Sequence, residues 1–201
     1  MRFTHHGILF LISAPSGAGK TTVVQALRKS GKFFYSVSCT TRVPRAGEIN
    51  GEHYRFVSAP DFQARIDVGD FLEHAKVHQD FYGTLREPVL TNLQNGVDVL
   101  IDIDTQGAAT IRNCDDAIVR QALADIFIMP PDVEELRRRL TKRGTETAQQ
   151  IESRIATAMR EMELWRDYRY TLVSGSVEED HESVRNIMSA EAFLSRRLRP
   201  I

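Results

Sequence analysis

Residues 9–22 read Leu-Phe-Leu-Ile-Ser-Ala-Pro-Ser-Gly-Ala-Gly-Lys-Thr-Thr. The apolar run over residues 8–12 has the length and branching of a buried strand. It empties into a loop of small residues, and Lys20-Thr21-Thr22 then opens a helical stretch. A strand, a small-residue loop and a helix start in this order wrap backbone N–H groups around an anionic phosphate chain, where the helix dipole also favours negative charge. In such a loop the lysine, here Lys20, reaches the β- and γ-phosphates, and the hydroxyl of Thr21 ligates Mg2+. The pattern usually begins with glycine. Ala14 stands in that place, followed by Pro15, and the remainder Ser16-Gly17-Ala18-Gly19-Lys20-Thr21 is intact. Residues 14–22, Thr22 included, are therefore the expected seat of a nucleoside triphosphate.

With 201 residues, 42% of them hydrophobic, the chain can bury a substantial core in one α/β domain. A formal charge of −1 gives no bulk attraction to nucleic acid or anionic lipid, so neither is an expected partner and any basic patch is local. The two cysteines, Cys39 and Cys114, lack metal-ligand spacing and read as free thiols. No stretch approaches the roughly 18–20 apolar residues of a membrane span, and the start has no signal-peptide pattern. A cytoplasmic enzyme is expected; whether it is a monomer or a homo-oligomer is not legible in the sequence.

Apolar runs alternate with helical periods, the pattern of a parallel sheet covered by helices in an α/β/α three-layer arrangement. Strands are expected at 8–12, 36–38, 97–103, 126–129 and 171–173, and helices at 21–29, 87–94, 132–143, 147–168 and 179–197. Asp132 with Glu135, and Thr145 or Thr147 with Gln150 after the latter, are candidate N-caps. Two segments break the alternation. Residues 39–84 hold short β-like pieces (53–57 and 71–77), glycine-rich turns and one short helix after Pro60-Asp61, which suggests an inserted lobe over about 36–84. Residues 137–160 carry Arg137, Arg138, Arg139, Lys142, Arg143, Arg154 and Arg160, broken at Gly144. A helical hairpin able to move as a lid over about 137–159 fits that break. The core is then 1–35, 85–136 and 160–201. Arg196 to Ile201 reads as a frayed tail and His5-His6 as a solvated lead-in. Met159, Met162 and Trp165 read as core packing. His74 and His78 are four apart on an extended segment and do not suggest a metal pair, and Ser16 with His181 does not make a hydrolase.

Residues 36–57 contain a second constellation. Arg42 and Arg45 are held in an extended frame by Pro44 and surrounded by hydroxyls, with Tyr54 downstream. Guanidinium groups bind phosphate bidentately and keep their charge, so this is a second anion site. At this point the chain resembles the guanylate kinases, which phosphorylate GMP from ATP in purine nucleotide recycling. The resemblance runs from about residue 8 to 170 on S-G-A-G-K-T, T-T-R-V-P-R-A-G-E with G-x-x-Y-x-F-V, F-L-E-H-A, Y-G-T, L-I-D-I-D-T-Q-G and R-R-R-L-T-K-R-G-T-E-T, in family order. It implies a P-loop NTPase-type fold. It further implies that Ser38, Glu73, Thr84 and Asp104 recognise guanine and that Arg42, Arg45, Tyr54 and Tyr82 hold the GMP phosphate. Glu48 would sit beside those arginines near the magnesium, and Asp102 would hold Mg2+ through water. Arg139, Arg143 and Arg154 would belong to the lid and act with Lys20 and Arg42 in transfer.

The chemistry of the residues agrees with those roles. Guanine offers N1–H and an exocyclic amine on one edge, which one carboxylate such as Glu73 can accept together; adenine N1 is an acceptor. Asp102 and Asp104 are two apart on a strand and share a face, at the end of a sheet where ligands bind. The acceptor oxygen of a nucleotide phosphate is already ionised near neutral pH, so the reaction needs alignment and charge neutralisation rather than a general base. Family members often have Asn-Asp after the last strand on the adenine side, where this chain has Ser174-Gly175-Ser176; a looser donor preference is expected. Cys39, beside Ser38, is a candidate for oxidation or alkylation that blocks GMP. Two rivals stay open at this stage: a kinase-like scaffold that binds protein, and a related kinase acting on a sugar bisphosphate.

Overall fold

The computed structural model describes residues 3–77, 79–142 and 147–200; the expectations placed on His78, Arg143, Gly144 and Thr145 fall outside them. After a short β1 (Phe3–His5), β2 (Leu9–Ser13) is buried at every position and delivers the small-residue loop to α1 (Lys20–Ser30). β3 (Phe34–Tyr35) follows. The chain then leaves the core through β4 (Cys39–Thr40), β5 (Arg55–Phe56), α2 (Ala59–Asp67), β6 (Phe71–Val77) and β7 (Asp80–Leu85). It returns with α3 (Arg86–Gln94), β8 (Val99–Asp102), α4 (Thr105–Arg112), α5 (Ala117–Ala122) and β9 (Leu123–Met129). A helical pair, α6 (Val133–Lys142) and α7 (Ala148–Met162), precedes β10 (Tyr170–Val173), α8 (Val177–Ala192) and β11 (Leu198–Pro200).

The core sheet has the order β10-β9-β2-β8-β3 and is parallel throughout. A parallel sheet needs cover on both faces, and the side-chain alternation of its strands supplies it. Leu9, Leu11, Val99, Ile101 and Phe127 point to one face, against Val89, Leu93, Ala108, Ile111 and Val119 of α3, α4 and α5. Phe10, Ile12, Leu100, Ala124, Ile126 and Ile128 point to the other, against Val23, Val24 and Leu27 of α1 and Val184 of α8. The result is a three-layer α/β/α core with β2 at its centre. The outlying segment forms a second sheet, β5-β4-β7-β6, with its own small core of Cys39, Phe62 and Phe71. The Phe62 ring stacks on Phe71 at 4.4 Å and on Phe81 at 5.5 Å. No helix among the described residues is long and apolar enough to cross a membrane.

Several elements differ from the sequence expectation. Residues 36–38 are not a strand: they carry the chain from β3 in the core sheet to β4 in the second sheet, and a segment crossing between ladders cannot join either. The long helix expected to 168 ends at Met162 and tightens into a 3₁₀ turn, Glu163–Asp167. Met159 is 51% exposed and Trp165 37% exposed, so neither is core; the buried residues of α7 are Ile155 and Ala158. Thr147 closes a capping box with Gln150, and the Asp132 carboxylate accepts from the Glu135 amide at 2.7 Å. The chain ends are not loose either. β11 pairs antiparallel with β1, and His6 is partly buried.

Ahead of β11, Arg197 is 6% exposed. It donates to the carbonyls of Gln121, Ala122 and Leu123 and forms an ion pair with Glu191. Glu191 is wholly buried and also accepts from Arg169 Nε at 2.7 Å and the Tyr170 hydroxyl. Removing one partner of a buried pair strands the other charge in a poor dielectric. Glu191→Ala should therefore cost about 3 kcal/mol of folding stability in denaturant titration. Turnover of the folded fraction should not change, because the contact lies at the strand ends opposite the phosphate loop.

Candidate active site

The C-terminal end of β8, the start of α1 and the inner face of the second sheet enclose a cleft of about 520 Å³. The loop that leads into it is fixed from several sides. Pro15 O accepts from Ala18 N at 3.1 Å. Gly17 and Gly19 have φ of 94° and 103°, a region that side chains rarely adopt. A Cβ on Gly17 would also lie 2.9 Å from both Leu136 and Leu140, so α6 packs directly on the loop backbone. Ala14 is buried in the apolar cluster beneath α1; its methyl faces the core, which is why alanine fits where glycine is usual. Lys20 Nζ donates to Ile103 O at 2.6 Å and forms an ion pair with Asp102. Thr21 lines the cleft; Thr22 does not.

The hairpin α6–α7 supplies two more holds. Arg139 donates through Nη1 to Ala18 O at 2.7 Å and to Ser174 Oγ at 3.1 Å, while Glu135 accepts from its Nε at 2.7 Å. Glu161, which no sequence motif marked, accepts from the amide of Ser16 at 3.1 Å. Arg154 is partly buried on α7 and does not line the cleft. Arg143 lies outside the described residues.

The opposite wall comes from the second sheet and its turns. Arg42 and Glu48 form an ion pair at 2.8 Å, and the other Glu48 oxygen accepts from Arg45 N at 2.7 Å. These two bonds hold the Glu48 carboxyl at about 2, well below the usual carboxylate range. The Arg42 guanidinium lies 5.4 Å from the Tyr54 ring, and Tyr54 meets Tyr82 edge-on at 5.9 Å. Arg45 is exposed on the rim. All five residues line the cleft.

Deeper in the cleft stands Glu73 on β6, 6% exposed. The Thr84 hydroxyl donates to its Oε1 at 2.7 Å. On the far side a Cβ at position 107 would lie 2.9 Å from Oε2, so Gly107 leaves the room this carboxyl occupies. Burial raises the Glu73 carboxyl to about 7; the Thr84 bonds pull it down and the nearby Asp104 pushes it up further. Asp104 caps α4, accepting from Gly107 N at 2.8 Å. Ser38 also lines the cleft, but Thr84 is fully buried behind Glu73 and does not. Its place is that of an orienting donor to Glu73 rather than a wall of the site.

Lining residues that sequence reasoning missed include Gln25, Arg28, Tyr35 and His53. Thr21, Gln25 and Arg28 recur at i, i+4 and i+7, so the helical period carried that signal. Arg28 lies over the Tyr35 ring at 4.2 Å and donates to Glu52 O at 3.1 Å, which ties α1 to the second sheet. Cys39 is a correction. Its thiol is 1% exposed in the small core, and burial pushes its pKa up; a buried neutral thiol is a poor target for oxidation or alkylation. The Ser174-Gly175-Ser176 loop spends its polar groups internally. Ser174 Oγ donates to Asp180 at 2.7 Å, Gly175 N donates to the same carboxylate at 2.8 Å, and Ser176 caps α8 in a box with Glu179.

Chemically, the cleft joins a phosphate-binding loop and its lysine at one end to an arginine pair on the second sheet, with the buried Glu73 carboxyl and the half-buried Asp104 further in. The family model described as Guanylate kinase matches residues 7–191. A guanylate kinase of Chelativorans sp. (strain BNC1) is 44% identical over 192 residues, 95% of this chain and 86% of the relative. One of Clostridium tetani (strain Massachusetts / E88) is 42% identical over 186 residues, covering 92% and 86%. The crystal structure of guanylate kinase from Anaplasma phagocytophilum superposes with a TM-score of 0.80 at 33% identity, covering 98% of this chain and 92% of that one. The chain belongs to the guanylate kinase family.

Proposed function

We propose that this protein transfers the γ-phosphoryl group of ATP to GMP, reversibly, giving ADP and GDP. The observation that carries the reading is the buried Glu73 carboxyl, oriented by Thr84 and flanked by Asp104, in the same cleft as Lys20 and Arg42. The ionised carboxylate accepts N1–H and the amine of guanine together, a pair that AMP cannot offer. Ser38 and Asp104 complete the base site, with Thr84 behind Glu73. Arg42, Arg45, Tyr54 and Tyr82 take the GMP phosphate, and Glu48 fixes the arginine fork. The loop from Ala14 to Thr22 takes the ATP phosphates. dGMP presents the same base and phosphate and is expected as an alternative acceptor. These are nucleotides free in the cytoplasm, the compartment we assign to the enzyme.

Catalysis here is alignment and charge neutralisation. Lys20 would leave Asp102 for the β/γ-phosphates when the donor enters. Arg42 and Arg45 would hold the acceptor oxygen in line with the γ-phosphorus. The second sheet (about 36–84) and the hairpin (about 137–159) are the segments we assign as closing lobe and lid, bringing Arg139, Arg143 and Arg154 toward the transferring group and excluding water. Mg2+ fits the residues present. No cluster of three or more His, Cys, Asp or Glu exists among the described residues, and Mg2+ is ordinarily held by one or two protein groups together with substrate phosphates and water. The Thr21 hydroxyl would bind it directly and Asp102, freed from Lys20, through water. What Mg2+ would supply there is neutralisation of the phosphate charge.

A coupled assay of ADP release tests the reading directly. GMP should be turned over in preference to AMP by on the order of 10⁴, with no turnover of UMP or ribose bisphosphate; no release with GMP ends the proposal. In the companion assay of GDP formation with ATP, GTP and dATP as donors, kcat/KM should differ by no more than about tenfold, since the Ser174-Gly175-Ser176 groups are already committed.

Lys20→Ala should lower kcat by about 10³-fold or more, as loss of one phosphate-clamping charge does, while circular dichroism and the melting temperature stay near wild type.

Because the Glu73 carboxyl lies at about 7 in the free protein, its ionised form falls about tenfold between pH 8 and pH 6. The KM for GMP should rise by a similar factor over that range, with the KM for ATP nearly flat. Glu73→Gln should have a high KM for GMP that no longer follows this titration. The same raised value works against folding at high pH: the neutral acid is tolerated below its ordinary 4.5, and stability is lost as pH climbs through 7. Glu73→Gln should consequently melt higher than wild type at pH 8.5 and show less gain at pH 5.

A further inference from the structure

The lid hairpin grips the phosphate loop with opposite chemistries from its two helices. Arg139 of α6 donates to the Ala18 carbonyl. Glu161, in the last turn of α7, accepts from the Ser16 amide through Oε2 at 3.1 Å, and its Oε1 accepts from the Thr105 hydroxyl at 3.4 Å. Thr105 is buried and is the first residue of α4, directly after Asp104. One carboxylate therefore joins the lid helix, the first turn of the loop and the segment that carries Asp102 and Asp104. No cation is paired with it in the described residues. A carboxylate beside a polyphosphate site is electrostatically the wrong residue for binding anions. What it provides is two acceptor oxygens at a fixed separation, which a neutral aliphatic side chain cannot supply.

We infer that Glu161 is a positioning residue for the donor half of the reaction: it sets the Pro15–Gly17 turn of the phosphate loop and links that turn to the lid and to the Asp104 segment. Proposed function supplies the reaction on which this rests. The amide of Ser16 is not offered to phosphate; it is spent on holding the loop's shape. With Ala18 pinned by Arg139 on the other side, the loop backbone between them keeps its remaining amides aimed at the donor. A misplacement of about 1 Å at such a loop can cost about 10²-fold in rate.

The experiment is steady-state kinetics with ATP and GMP varied in turn, on wild type, Glu161→Ala, Glu161→Gln and Thr105→Val, with melting temperatures beside them. Turnover by wild type is the separate check on the reaction itself. Glu161→Ala should lower kcat by about 10-fold to 10²-fold and raise the KM for ATP several-fold, with the KM for GMP within about twofold. Glu161→Gln keeps an acceptor for Ser16 and a donor for Thr105, and should recover most of the loss. Thr105→Val removes only the longer bond and should sit between wild type and Glu161→Ala. The proposal is overturned by a Glu161→Ala enzyme that melts lower yet keeps wild-type constants, or by equal damage to both substrates. It is overturned as well if Glu161→Gln is as impaired as Glu161→Ala, since the charge and not the bridge would then matter. Should Glu161→Ala fail to fold, the Gln and Val variants decide by the same criteria.

Discussion

Leu136 and Leu140 rest against the backbone of Gly17 with no room for a side chain between them. That contact makes the helical hairpin and the phosphate loop one mechanical unit. Any movement of α6 across the loop would press on the loop's own peptide units. Arg139 at Ala18 and Glu161 at Ser16 exploit the same closeness with directional bonds. The apolar contact brings the elements together, and the polar ones fix the angle. The loop's other boundary is β2, buried on both faces, so its entry point is fixed by the core and its exit by α1.

Charge in the cleft is arranged in opposed pairs that a nucleotide can separate. Lys20 is held by Asp102 and Arg42 by Glu48. Each cation is kept oriented at modest desolvation cost, and each has a stronger partner in a phosphate group. Glu48 also holds the Arg45 amide, so the turn carrying both arginines is shaped by the anion between them.

The motifs with local geometry were legible in the sequence. Strand, loop and helix over 8–29 require only periodicity, small residues and a helix start, and the strand at 71–77 appears with those bounds. What failed was non-local. α4 and α5 escaped because they are only 8 and 6 residues long, too short for a helical period to stand out. Residues 36–38 looked like a strand by composition, yet their place between two sheets denies them a ladder. The tail looked loose because the partner of Arg197 is Glu191, and the ladder of β11 is the chain's other end. In the site, Glu73 was found by family resemblance, but its support by Thr84 and its closeness to Gly107 are facts of packing. Glu161 left no motif, since its partner is a backbone amide 145 positions away.

The burial of Glu73 bears on how a dianion enters this cleft at all. Burial holds that carboxyl well above the usual carboxylate range, at about 7, so near neutrality it is not fully ionised in the empty cleft. Long-range repulsion toward an approaching phosphate group is correspondingly weaker than the formal count of carboxylates implies. In the proposed reaction the full negative charge would develop when the two N–H groups of guanine arrive to share it, the proton passing to solvent. On that proposal, association and recognition would be separated in time on a single side chain: neutral enough to admit the ligand, then anionic enough to grasp its base.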